Sequence, residues 1–231
     1  MGSDPRPAAL IELSKIIVSE RPLRETLSHV SEVITAALPA AFAGMTLIDE
    51  RGQPVTTAYT DEDSPEIDAA QYRTDAGPCL DAWRLAHAVR IADTAADGPY
   101  EAFCAAAVAH GIRSTLSVPL CALDEPLGAL NLYSHEVDAF SDDDVELALQ
   151  LVEVAAVVLV NARAFWGERE LNLQLNDALS SRAVIEQAKG ILMARNATLD
   201  ADAAFDVLRS ASQRENVKLR DIAERIVASR A

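Results

Sequence analysis

The chain has 231 residues, enough for one or two domains with a real core. Half of them are hydrophobic, which excludes a largely disordered chain. The net charge of -16 argues against indiscriminate nucleic-acid binding by the whole molecule.

Taken in chain order, Ala8–Ser19 and Leu23–Leu38 read as amphipathic helices, with Pro22 and Pro39 bracketing the second. No signal peptide is expected, because Met1 to Pro7 contains no apolar run. Ala43–Asp49 and Pro54–Thr60 alternate as strands around a turn at Asp49-Glu-Arg-Gly52. The acidic stretch Asp61–Asp68 suits a solvated loop or a short helix. Gly77-Pro opens a helix running to Ala86, Val89–Ala92 makes a short strand, and Tyr100–His110 makes a helix stopped by Gly111. Arg113–Leu123 and Leu127–Tyr133 form a second hairpin about Asp124-Glu-Pro126. Strands and helices mixed on an antiparallel plan predict an α+β domain.

From Ser141, a good N-cap before three acidic residues, one long helix is predicted from about Asp142 to about Asn196. Leu147, Leu151, Val154, Val158 and Phe165 recur at spacings of four and three, with a shifted stripe at Leu171, Leu175 and Ala178. That spacing predicts a coiled-coil seam, and with it a homodimer through residues 142–180. The most apolar run, Val154–Val160, falls far short of the ~20 residues a membrane span needs, so no membrane partner is expected. Two further short amphipathic helices follow, the first capped by Thr198.

The charge is unevenly divided. Residues 168–231 hold 10 basic and 10 acidic side chains, and the first 167 carry the whole excess. Two units with different partners are expected. Three cysteines without a CxxC pair fit a reducing cytoplasm better than a disulfide framework. His29, His87, His110 and His135 form no metal-binding pair, and neither a metal nor another cofactor is expected.

Two stretches carry family resemblances. Arg182-Ala-Val-Ile-Glu-Gln-Ala-Lys-Gly-Ile-Leu-Met193, Ala203–Arg209 and Lys218–Val227 closely resemble the ANTAR domain, the helical RNA-binding domain of bacterial transcription antiterminators. Gly77-Pro-Cys-Leu-Asp81, Gly111-Ile-Arg-Ser-Thr-Leu-Ser-Val-Pro-Leu120 and Leu127–Tyr133 resemble the GAF domain of actinobacterial regulators. The GAF resemblance implies an antiparallel sheet with flanking helices over residues 8–160 and a small-molecule ligand pocket. Residues 142–182 would form a signalling helix, and residues 170–231 a three-helix ANTAR bundle. The ANTAR resemblance implies RNA with paired stem-loops as partner. It places the contact surface on Lys189, Gly190, Met193, Arg209, Arg214, Lys218 and Leu219.

By charge alone those cations could be an ordinary solvated surface. Gly190 inside a helix is locally unfavourable and needs a reason, of which close approach by another backbone or an RNA is one. Asp75, Cys79, Asp81, Asp93 and Arg113 lie near strand and helix ends, where they could line the pocket or serve as structural caps. Cys79, near a helix start, keeps open a thiol enzyme of the methionine sulfoxide reductase branch of the GAF family. A dimeric adaptor binding only protein is the other alternative. The expected reading is a cytoplasmic, non-enzymatic, signal-responsive regulator promoting transcription antitermination.

Overall fold

The computed structural model describes residues 5–96, 98–122 and 125–229. Met1–Asp4, part of the stretch read for a signal peptide, and Asp124 of the predicted second turn lie outside the described residues. The chain divides into two compact units between Trp166 and Gly167.

The first unit runs α1 (Pro5–Ser14), α2 (Leu23–Ala37), β1 (Phe42–Ile48), β2 (Pro54–Tyr59), α3 (Asp63–Thr74), α4 (Pro78–Leu85), β3 (Val89–Ile91), α5 (Glu101–Ala109), β4 (Ser114–Ala122) and β5 (Glu125–Ser134). The first part of α6 (Asp142–Arg195) completes it. The strands form one antiparallel sheet in the order β2-β1-β5-β4-β3. Side chains alternate across a strand, so each strand feeds two faces. Met45, Leu47, Leu116, Val118, Leu130 and Leu132 go to one face and pack with Leu27, Ile34, Leu147, Leu151 and Leu159 of α2 and α6. Thr46, Ser117, Asn131 and Tyr133 go to the other, and they too are buried.

The acidic stretch takes the helical alternative, opening the 12-residue helix α3 at Asp63, but Asp68 is fully buried rather than solvated. Asp68 lies on the sheet-facing side of α3, where hydroxyl and amide donors from the strands meet its carboxylate.

A reciprocal capping box starts α6. The Ser141 N–H donates to Asp144 Oδ2 at 2.9 Å, and the Asp144 N–H donates to Ser141 Oγ at 3.3 Å. The stripe read as a coiled-coil seam requires a correction. Leu147, Leu151 and Val158 are buried in this unit's own core, and Val154 packs against it. The periodicity was that of a core helix, and sequence spacing cannot say which partner covers an apolar stripe. The apolar residues that α6 exposes here are Leu149, Val157 and Val160. An 18-residue window of α6 is apolar enough to cross a bilayer, with mean hydropathy 1.9, but half of it is buried in the protein. Where this unit ends, the indole N–H of Trp166 donates to the Val18 carbonyl, in the turn after α1, at 3.0 Å.

The second unit comprises the rest of α6, α7 (Ala201–Glu215) and α8 (Leu219–Ala228). Ala188, Leu208, Ile222 and Ala223 form its core, edged by Val184, Ile185, Leu192 and Ile226. The cap of α7 is Asp200, which accepts the Ala203 N–H at 2.8 Å, and not Thr198. The Thr198 hydroxyl instead donates to Asn196 Oδ1 at 2.7 Å, inside the turn. An ionised carboxylate at a helix N-terminus also meets the helix dipole favourably, which a hydroxyl does not.

Candidate functional site

On its second face, the sheet carries a closed polar cluster centred on Asp68. Oδ1 accepts from Tyr133 OH at 2.6 Å, Asn131 Nδ2 at 2.8 Å and Gln71 Nε2 at 3.0 Å, and Oδ2 accepts from Thr56 Oγ1 at 2.9 Å. Tyr72 OH closes the ring with Thr46 at 2.7 Å and Thr56 at 2.8 Å. Burial pushes the Asp68 carboxyl up from 3.8 to about 6, although each hydrogen bond favours the charged form. Gln71 also accepts the Cys79 N–H, at 3.0 Å. This bond requires Gly77, because a Cβ there would lie 2.3 Å from the Gln71 side chain.

Cys79 is fully buried beside this cluster, and burial, followed by the Asp68 charge, pushes its thiol up to about 12. Burial raises the Cys104 thiol as well. Both shifts run opposite to what a thiolate nucleophile needs.

The other residues expected at the pocket each meet a different partner. Asp75, in the left-handed conformation at the end of α3, pairs with Arg84. Asp81 accepts from Tyr100 OH at 2.6 Å, and Asp93 pairs with Arg113 at 3.0 Å. The Ala95 N–H, followed by Arg113, holds the Asp93 carboxyl below its usual range. Asp75, Cys79, Asp81 and the Asp93–Arg113 pair are thus engaged separately rather than converging.

In the second unit most expected contact cations are already paired. Lys189 Nζ meets Glu186 at 2.9 Å with its side chain only 15% exposed. Arg209 meets Asp206 at 2.8 Å, and Arg214 lies 3.8 Å from Glu215. Lys218 is exposed at the start of α8. Met193 is exposed, while Leu219 is half-buried against the core. Gly190 is exposed, and a Cβ there would meet nothing within 4 Å. It therefore does not serve helix packing within this chain, yet a helical Gly costs about 1 kcal/mol relative to Ala.

Gly190 borders a concavity of about 360 Å³, lined also by Gln187, Ile191, Ala194, Arg195 and Val227. The sequence reading did not assign Gln187, Ala194 or Val227 to any site. The available signal was helical spacing, since residues 187, 190, 191, 194 and 195 share one flank of α6.

The first unit is an α+β fold on a five-stranded antiparallel sheet, and the second is a three-helix bundle. The GAF domain family matches residues 20–160, and the ANTAR domain matches residues 173–227. The chain belongs to the GAF domain family, and its GAF domain is followed by an ANTAR domain. No curated protein matches the chain. Among solved structures it is similar to a free methionine-R-sulfoxide reductase from Neisseria meningitidis, at 19% identity and a TM-score of 0.55, over 71% of this chain and 95% of that one. It is also similar to a domain of a histidine kinase protein from Sinorhizobium meliloti, at 17% identity and a TM-score of 0.53, over 64% and 98%. A third is the GAF domain of an Acinetobacter phosphoenolpyruvate-protein phosphotransferase, at 16% and 0.51, over 71% and 97%. At such identities the likeness shows the fold alone. The two-domain architecture is that of a signal-responsive, RNA-binding regulator.

Proposed function

We propose that this protein is a cytoplasmic antiterminator. It binds RNA carrying paired stem-loops as a homodimer, under the control of its GAF domain and of any small molecule that domain takes. The RNA form it holds competes with a terminator hairpin, so that transcription continues. The observation that carries this reading is the order of the two domains, GAF then ANTAR, joined by the single helix α6. Its support for a dimer is the stretch of α6 just inside the second unit. Leu171, Leu173, Leu175 and Leu179 are each more than half exposed there. A second copy covering them would bring two ANTAR units onto one RNA, where the second contact gains from effective concentration.

The decisive experiment compares a two-stem-loop RNA leader with each stem-loop alone. Much tighter binding of the pair, with a protein mass of two chains, is expected. Equal binding of all three RNAs, or a monomer at micromolar concentration, would refute the paired mechanism. The alternative reading, a thiol enzyme, has the raised Cys79 and Cys104 thiols against it.

A further inference from the structure

We infer that the concavity beside Gly190 is a seat for a single unstacked purine of the RNA loop, read by Gln187 and Arg195; this rests on the RNA-binding reading above. Three observations converge on it. Gly190 is exposed and faces open space, so the missing Cβ leaves room at the wall of the concavity instead of accommodating another helix. The volume, about 360 Å³, admits a bicyclic base. Its lining has the chemistry a base needs: the apolar side chains of Ile191, Ala194 and Val227 together with two polar ones, Gln187 and Arg195.

Those two side chains have hydrogen-bonding capacity to spare. The Gln187 amide makes no hydrogen bond among the described residues. Arg195 has a long contact, 3.5 Å, from its guanidinium to Ser229 Oγ. An amide offers a donor and an acceptor side by side, matching the edge of adenine, and a guanidinium matches guanine or stacks on a base plane. Lys189, by contrast, is already tied to Glu186. The seat and the phosphate-holding cations are therefore separate functions: one sets sequence preference, the other general affinity.

The test uses the full-length protein and a library of hairpin RNAs with fixed stems and randomised loops. The parent should enrich loops with a purine at a defined position. Making that nucleotide abasic should weaken binding about 10-fold or more, the scale of one lost base contact. Gln187→Ala should lose the preference at that position while keeping the slope of binding against salt. Gly190→Leu should weaken the enriched RNA and not weaken the abasic one further, because both changes remove the same contact. Arg195→Ala should relax the same position. A parent that enriches no RNA would remove the RNA-binding reading and this inference with it. If the parent enriches loops but all three variants keep its affinity and preference, the seat lies elsewhere and only the inference falls. The inference also falls if Gln187→Ala weakens all loops equally and flattens the salt slope, because Gln187 would then contact the backbone. Circular dichroism melts of each variant check the fold, and Gln187→Ala, at an exposed position, decides the matter should Gly190→Leu not fold.

Discussion

Replacing Asp68 by Asn removes an ionisation from the middle of the GAF domain while keeping the shape of its hydrogen-bonded cluster. The three donors that meet Oδ1, from Gln71, Asn131 and Tyr133, keep an amide oxygen to bond. On the other side Thr56 Oγ1 can rotate to accept from the new amide nitrogen. The sign of the pH effect follows from the direction of the shift. The Asp68 carboxyl is raised in the folded protein, from 3.8 to about 6, so the folded state holds the proton more tightly than the unfolded chain. Its contribution to stability is fully present below 3.8 and is lost as pH rises through about 6. The full loss is about 3 kcal/mol, at 1.36 kcal/mol per tenfold change in proton affinity. The variant does not ionise there and avoids that loss. Urea unfolding of parent and Asp68→Asn should therefore diverge as pH rises from 4 to 7, with the variant gaining on the parent by about 3 kcal/mol and the difference levelling off above pH 7. Parallel stability curves across that range would refute the assignment of a raised carboxyl to this cluster.

Gly190→Ala should keep or raise the melting temperature, by up to about 1 kcal/mol in stability, because the position is helical and open; a loss of stability by thermal melt would contradict the observed open space. Lys189→Ala, Arg209→Ala and Lys218→Ala should each weaken RNA binding and flatten its salt dependence, with stability changed by about 0.5 kcal/mol or less. The largest effect is expected at Lys218, since Lys189 and Arg209 already face carboxylates; unchanged titrations across a salt series would move the phosphate surface elsewhere. Joint replacement of Leu171 and Leu175 by Asp should convert dimer to monomer in sedimentation without lowering the melting temperature of the GAF domain. Changing Cys79, Cys104 and Cys121 to Ala should leave RNA binding intact, and a sulfoxide-reducing activity present in the parent and lost in this variant would favour the thiol enzyme.

Most elements were legible in the sequence because their signals are local. Gly77-Pro marked the start of α4, Gly111 the end of α5, and Ser141 with Asp144 the start of α6. What escaped depended on distant partners. Asp68 looked like one more acid in a polar run, and two of the donors that allow its burial, Asn131 and Tyr133, lie more than 60 residues further on. Leu147, Leu151 and Val158 announced an apolar stripe, but its partner turned out to be the domain's own sheet rather than a second chain. At the RNA-binding end, the seven expected residues were chosen by type and resemblance. The concavity is lined from two helices, by Gly190 of α6 and Val227 of α8 among others, a meeting that no pattern within either helix reveals.

The hydrogen bond between Trp166 and Val18 makes the boundary between the two units optically addressable. The chain has two tryptophans. Trp83 lies elsewhere in the GAF domain, donating to the Pro126 carbonyl at 3.3 Å with Arg84 over its ring. With Trp83 changed to Phe, the remaining indole emission comes solely from the last residue before the second unit. An indole held on a carbonyl and partly shielded emits differently from one released into water, so a signal that loosens the turn after α1 from α6 would shift the spectrum. The protein thus carries its own fluorophore on α6 at the residue where its first unit ends.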